Sequence, residues 1–396
     1  MSYLDLGTIH QSRSRSPRWA PGKQLLKLGL ILALILFLSW GLRQLFFAGS
    51  TVMASFWNSS GAVIAQLMPN RPQIKEDQGV TNILLIGIDR RNEIPYSYQG
   101  PNGKMVKNGF LADTIIIASY NRNTNQISLL SLPRDLWVQI PAYRGLPSQY
   151  AKINAAHALG DRLSEGGSGI ELLTKVVEDI LQIPIHYYAR IDFAGFVKGI
   201  DALGGVDIEV ERTFDDYMYP RAGYEEAPWN QRWEHVRFEA GLQHMDGERA
   251  LKYARSRHAL GIEGTDFARA KRQQKVIIAV KNKVLSSQTL LNPLKIKQLY
   301  ELVADYLATD IQLNEIPLFL SWAKKMKDLE VKTYSLTDEG LNLLTTPSNL
   351  APYGYAWVVI PRAGRDNFTE IQKYVHQILY SPPATPTPLP AAEENF

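Results

Sequence analysis

Apolar positions along the chain follow two rhythms. Short aliphatic runs bounded by polar or turn residues mark strands: Asn82–Ile88 (NILLIGI), Thr114–Tyr120 (TIIIASY) and Gln126–Leu132 (QISLLSL). Asn121–Asn125 between the last two is a hairpin-type connection. Tyr187–Ile191, Val206–Val210 and Ala356–Ile360 read as further strands. Helical spacing is predicted for Ile153–Leu159, Gly169–Leu181, Phe193–Leu203, Lys295–Ala308, Glu315–Met326 and Asn367–Leu379. Such alternation predicts an α/β domain, a three-layer α-β-α arrangement with a mixed central sheet. Residues 92–110 read as a polar loop, and 212–240, with Trp229 and Trp233, as a long aromatic loop of mixed charge.

One predicted helix breaks the usual division between apolar and polar faces. From Asp266 onward, 3.6-residue periodicity puts Asp266, Arg269 and Gln273 on one face, which Val276, Ile277, Val280 and Val284 continue. Lys271, Arg272, Lys275 and Lys283 are predicted to point away. A core-type stripe thus becomes, in its first turns, an acid, an arginine and an amide. An unpaired buried ion costs several kcal/mol, so these charges need partners. Either an internal ion-pair network or an anionic or metallic ligand supplies them.

Strand polarity points to the same place. Antiparallel pairing sets the end of Gln126–Leu132 beside the start of Thr114–Tyr120, bringing Arg134 near Asp113. An antiparallel Asn82–Ile88 delivers Asp89 to the same edge. Acids and arginines then converge where apolar strands stop, a usual place for a site.

The start of the chain has another character. Leu28–Leu42 carries no charge, and Leu45-Phe46-Phe47 extends it past Arg43 and Gln44. About 20 residues suffice to span a bilayer. Arg13, Arg15, Arg18, Lys23 and Lys27 precede it against one acid, Asp5, which predicts a cytoplasmic N-terminus and an extracytoplasmic body. A cleaved signal peptide is the rival reading, disfavoured by the long basic leader. The predicted organisation is a basic tail over 1–27, a transmembrane anchor over 28–47, a linker over 48–79, a folded domain over 80–380 and a Pro-rich tail over 381–396.

Composition removes several chemistries. The 396 residues contain no cysteine, which excludes disulfides, thiolate metal sites and cysteine nucleophiles. A formal charge of +4 does not mark a nucleic-acid binder. Phosphate-cradling glycine motifs and H-E-x-x-H are absent, and Gly166-Gly167-Ser168-Gly169-Ile170 lacks the last glycine of a nucleophile elbow. His157, His186, His244 and His258 are scattered and read best as structural, with His258 near the site by its neighbours.

The order of segments is more specific than any one of them. NILLIGID (82–89), ADTIII (112–117), ISLLSLPRD (127–135), KINAAHALG (152–160), FAGFVKGIDALGGVDIEV (193–210), MDGERALKYARSRH (245–258) and DFARAKRQQKVI (266–277) together resemble the LytR–CpsA–Psr family across 80–285. The resemblance implies a membrane-anchored extracytoplasmic phosphotransferase. Such an enzyme moves a glycan from polyprenyl pyrophosphate to a peptidoglycan hydroxyl, leaving a phosphodiester and polyprenyl phosphate. It implies Mg2+ (or Mn2+) on Asp89 and Asp113, with these acids and Arg134 as catalytic residues. It implies pyrophosphate binding by Arg90, Arg134, Arg255, Arg257, Arg269 and Gln273, with Asp266 orienting the arginines. Arg272 also matches but is predicted to face outward. The arginine that the family often carries before ADT is absent, since Leu111-Ala112 stands there, and Arg90 or Arg91 is the expected substitute. Implied partners are the lipid-linked glycan, peptidoglycan and membrane lipid, with no nucleic acid. Apolar residues of Phe193–Leu203 and Val276–Leu285 are candidates for a lipid-tail pocket or for ordinary core. A polyprenyl-pyrophosphate hydrolase and a non-enzymatic envelope regulator remain open alternatives.

Overall fold

A computed structural model describes residues 73–89, 97–99, 105–107, 110–162, 168–224, 227–286, 299, 301, 306–312, 315–338 and 340–380. The predicted basic tail, apolar anchor segment, Pro-rich tail, Arg90 and Arg91 lie outside these residues. Among the described residues no helix is long and apolar enough to cross a membrane.

The strands are β1 (Val80–Ile88), β2 (Ser97–Gln99), β3 (Met105–Lys107), β4 (Ala112–Asn121), β5 (Gln126–Ser131), β6 (Trp137–Ile140) and β7 (Gln149–Lys152). Helices α1 (Asn154–Asp161) and α2 (Ser168–Leu181) follow, then β8 (Tyr187–Asp192), α3 (Phe193–Ala202) and β9 (Val206–Val210). Next come β10 (Phe214–Pro220), β11 (Trp233–Phe238), β12 (Gly241–Met245), α4 (Gly247–Arg255) and α5 (Asp266–Val284). The chain closes with β13 (Leu307–Thr309), α6 (Ile316–Met326), β14 (Val331–Ser335) and α7 (Thr369–Tyr380).

Six strands form the central sheet in the order β13-β8-β1-β4-β5-β14. β1 runs antiparallel to β4 and parallel to β8, while β14 runs parallel to β5, so the sheet is mixed as predicted. Alternation along β1 sends Leu84, Ile86 and Ile88 to one face, where Ile115 and Ile117 of β4 join them. Leu172 and Val176 of α2 and Ile371 and Val375 of α7 cover that face. On the opposite face, α6 packs edge-to-face through Trp322 on Tyr120 and Phe319 on Tyr187, each pair at 5.1 Å. A second core joins α3, α4, α5 and the β9–β12 strands through Ile200, Phe214, Phe238, Tyr253 and Val276. Ile200, Val276 and Ala279 are thus core residues, the blander of their two readings.

Several boundaries differ from expectation. The expected loop 212–240 contains the antiparallel ribbon β10–β11. Its period-2 signal was masked because the buried face includes a carboxylate, Asp216, between Phe214 and Tyr219. Leu307 and Ala308 belong to β13, which pairs with β8, not to a helix end. Of the expected strand Ala356–Ile360, only Ile360 is in a strand, the two-residue Ile360–Pro361. The β6–β7 hairpin and β14 had not been foreseen. The body also begins before Val80: Lys75 N–H donates to the Tyr187 hydroxyl at 2.9 Å, and Arg122 pairs with Glu76 at 2.6 Å.

Two features position the site. In the β1–β4 ladder Gly87 opposes Thr114 but Ile88 opposes Ala112, so Asp113 is the extra residue of a bulge. A bulge re-aims its side chain and bends the strand. Across the molecule, Gly247 opens α4 directly against α3, where a Cβ would lie 2.7 Å from Val197 Cα. Asp246 caps α4 by accepting from Arg249 N–H at 2.8 Å, which explains the Asp-Gly pair structurally. Gly247→Ala is expected to cost about 1–3 kcal/mol by overpacking. A thermal melt several degrees below wild type is the readout; an unchanged melt would mean α3 and α4 separate freely.

Candidate functional site

Three strand ends meet at one sheet edge. Asp89 follows β1, Asp113 occupies the bulge of β4 and Arg134 follows β5. Arg134 Nη1 donates to Asp113 Oδ1 at 2.9 Å, as the hairpin geometry predicts. Arg134 Nε stands 3.4 Å from Asp135 Oδ2, and Lys152 Nζ donates to Asp135 Oδ1 at 2.6 Å. Asp113, Arg134, Asp266, Arg269 and Gln273 line one cavity of about 50 Å³ with Trp357 at its wall. The acid, arginine and amide of the α5 face therefore do converge with the strand-end residues.

A second set arrives on the turn between α4 and α5. Arg255 Nη2 lies 3.7 Å from Asp89 Oδ2, and its Nη1 donates to the Tyr219 hydroxyl at 3.1 Å. Its guanidinium stacks 4.1 Å from the Phe193 ring. Arg257 is exposed and makes no ion pair with a described residue. The turn itself is held by Asp216, which is fully buried. One carboxylate oxygen, Oδ2, accepts from Ser256 Oγ at 2.6 Å, Arg257 N–H at 3.1 Å and His258 N–H at 3.2 Å. Burial pushes the Asp216 pKa up, but these donors and the Met218 N–H outweigh it and hold it below the ordinary carboxylate value.

Arg272 corrects the helical-wheel reading. Its side chain is 3% exposed and points inward. It donates to Glu263 Oε2 at 2.8 Å and to the Tyr253 carbonyl at 3.1 Å, and it also binds the Ser256 carbonyl. A wheel considers one neighbour; here the turn 253–264 folds over the second side of α5. Gln274, likewise unforeseen, donates to Ser131 Oγ at 2.9 Å and the Tyr334 carbonyl at 2.8 Å, pinning α5 to the sheet. Nothing in a single sequence separates these anchoring residues from the neighbouring Arg269 and Gln273.

The electrostatics of the cavity are unbalanced. Burial lowers the Arg269 pKa; Asp266, at 2.9 Å, and Asp113 oppose this, while Arg134 and Arg257 lower it further. For Arg134 burial also acts downward, but Asp113, Asp135 and Asp266 raise it overall. Cations are thus gathered closely enough to repel one another, with carboxylates keeping them in place. An anion with several oxygens would relieve that repulsion. Asp89 and Asp113 carry oxygen donors of the kind Mg2+ prefers, but among the described residues no group of three or more His, Cys, Asp or Glu is placed to hold a metal ion. Arg90 falls outside the described residues. A larger cleft, about 500 Å³, lies beyond α5 beside Phe267, Lys271 and Lys275. Two of its cations already have acids, with Lys275 2.8 Å from Glu211 and Arg272 2.8 Å from Glu263, while Lys271 lies over the Phe267 ring.

The sequence model of the LytR_cpsA_psr family matches residues 52–353, well beyond the motif region. A relative from Oceanobacillus iheyensis, named polyisoprenyl-teichoic acid–peptidoglycan teichoic acid transferase TagU, is 28% identical over 79% of this chain and 82% of its own length. The Enterococcus faecalis protein of the same name is 30% identical over 59% of this chain and 63% of its own. Among solved structures, Bacillus subtilis TagV superposes with a TM-score of 0.52 at 26% identity, over 78% of this chain and all of that one.

Asp216→Ala leaves several buried donors without an acceptor and is expected to destabilise the fold by about 3 kcal/mol or more in denaturant titration at neutral pH. Because the folded pKa is depressed, this contribution is complete above the ordinary value of about 4 and lost as pH falls through the lower folded value. Wild type and variant should therefore converge in acid; a constant difference would contradict an ionised Asp216.

Proposed function

We propose, on the premise that this chain belongs to the LytR–CpsA–Psr family, that it transfers a glycopolymer from a polyprenyl-pyrophosphate carrier to a peptidoglycan hydroxyl. The observation that carries this reading is the cavity where Arg134 and Arg269, the latter under the field of Arg257, face Asp113. Relatives named as polyisoprenyl-teichoic acid–peptidoglycan transferases support the substrate class.

In this mechanism the pyrophosphate, with about two negative charges, enters the cavity lined by Arg134 and Arg269. Arg134 and Arg269 hold its oxygens through planar forks, and Arg257 reaches it from the turn. Gln273 donates from the neighbouring turn of α5, and Asp266 keeps Arg269 oriented. The acceptor hydroxyl attacks the glycan-bearing phosphorus. A new P–O bond forms, the bond to the bridging oxygen breaks, and polyprenyl phosphate departs with that electron pair. Asp113 or Asp89 takes the hydroxyl proton. No covalent enzyme intermediate is needed, because positioning and charge stabilisation suffice for phosphoryl transfer. A divalent cation on Asp89 and Asp113 would neutralise charge on the phosphate oxygens. The apolar stretch 28–47 serves as a single membrane anchor, which keeps the domain at the outer face where the lipid carrier resides.

Arg134→Ala and Arg269→Ala should each lower transfer by about 100-fold or more while leaving the melting curve near wild type. Arg269→Lys should recover little, since an ammonium lacks the fork. Full activity in both alanine variants, measured with lipid-linked glycan and peptidoglycan, would displace the site. Chelation should abolish transfer and added Mg2+ restore it; an undiminished rate after exhaustive chelation would remove the metal from the account.

A further inference from the structure

The ribbon β10–β11 has two unlike faces. Phe214, Asp216, Tyr219, Val236 and Phe238 point inward and are buried. The outer face carries Tyr217, 58% exposed, stacked flat on His235 with ring centres 4.3 Å apart and planes 5° apart. Beyond them Trp229, 64% exposed, meets Trp233 edge-to-face at 4.9 Å. The ribbon is also continuous with the arginine-bearing turn. Asp216 opposes Val236 on one side and Ala259 on the other, so the segment after α4 lies along its second edge. Buried Ala259 alternates with exposed His258 and Leu260, which brings His258 to 6.4 Å from Trp233. One aromatic surface therefore runs from Trp229 through Trp233 to His258, the residue after Arg257. Fixed backbone pairing, not a mobile loop, holds it in that line.

We infer that this outer face is a carbohydrate platform on which the acceptor glycan, a polymer of N-acetylated hexosamines, lies with its hydroxyl directed toward the arginine cavity. The inference rests on the transfer reading above and deepens it. Three observations select this occupant. Exposed aromatic rings interrupted by polar groups suit sugar rings, which present C–H faces and a hydroxylated rim. The charges of the face cancel internally: Arg237 is bonded to Asp215 at 2.9 Å and Glu239 at 2.7 Å, and His235 to Asp215 at 2.7 Å. Beside the Tyr217–His235 pair, Arg237 is thus already held by two acids and offers little to the anionic donor polymer or to an anionic bilayer. Trp233 Nε1 is a buried donor without a partner among the described residues, available to an acetamido carbonyl after a small shift.

The test uses the full chain in phospholipid nanodiscs, with a soluble N-acetylglucosamine oligomer and no lipid donor. Trp229→Ala should weaken oligomer binding by about tenfold and Tyr217→Ala by less, while both bind the pyrophosphate lipid like wild type. The emission lost in Trp229→Ala should be open to an aqueous quencher in the nanodisc alone and protected when oligomer is added. Equal oligomer affinity in wild type and Trp229→Ala overturns the platform. Shielding of Trp229 before oligomer is added also overturns it, in favour of a lipid contact. Neither result touches the transfer reading, which stands or falls with the arginine variants assayed on lipid-linked glycan.

Discussion

Mutual repulsion among closely gathered, partly buried arginines is the constraint around which this molecule is arranged. Arg269 is largely removed from water, yet it lies in the fields of Arg134 and Arg257. Left alone, such a group would drive its segment into solvent. Carboxylates from separate parts of the chain prevent that: Asp266 one helical turn away, Asp113 at the strand bulge and Asp135 behind Arg134. The arrangement is stable without being satisfied. Under the proposed function, the guanidinium groups held in this way are what the pyrophosphate meets.

The scaffold serves that arrangement from three directions. The sheet fixes strand ends, and the bulge turns Asp113 out of the ladder toward Arg134. Gln274 ties α5 to β5 and β14, so the Arg269 face cannot rotate away from the sheet edge. Asp216 and Arg272 grip opposite sides of the turn that carries Arg255 and Arg257, one through its N–H groups and the other through its carbonyls. A buried acid and a buried arginine thus keep rigid a turn that would otherwise be a loop.

Much of this was legible in the sequence because it is written in periodicity. Aliphatic runs gave β1, β4 and β5, and antiparallel pairing then placed Arg134 against Asp113 without further information. The 3.6-residue spacing put Asp266, Arg269 and Gln273 together. What was missed has a common physical cause. Asp216 sits on a strand face where a period-2 pattern requires an apolar residue, so the ribbon looked like a loop. Arg272 looked like surface because its partners, backbone carbonyls and the Glu263 carboxylate, come from a turn that folds over α5, which no periodicity reveals. β14 and the β6–β7 hairpin are short and half-buried, and their tertiary partners decide them more than local propensity does.

The central claim concerns where a diphosphate goes, and a crystal structure of the protein with a bound polyprenyl pyrophosphate tests it most directly. The account predicts phosphate oxygens within about 3 Å of Arg134, Arg257 and Arg269. A pyrophosphate seated instead across α5, beside Lys271 and Lys275, with Arg134 and Arg269 still paired only to their acids, would contradict it.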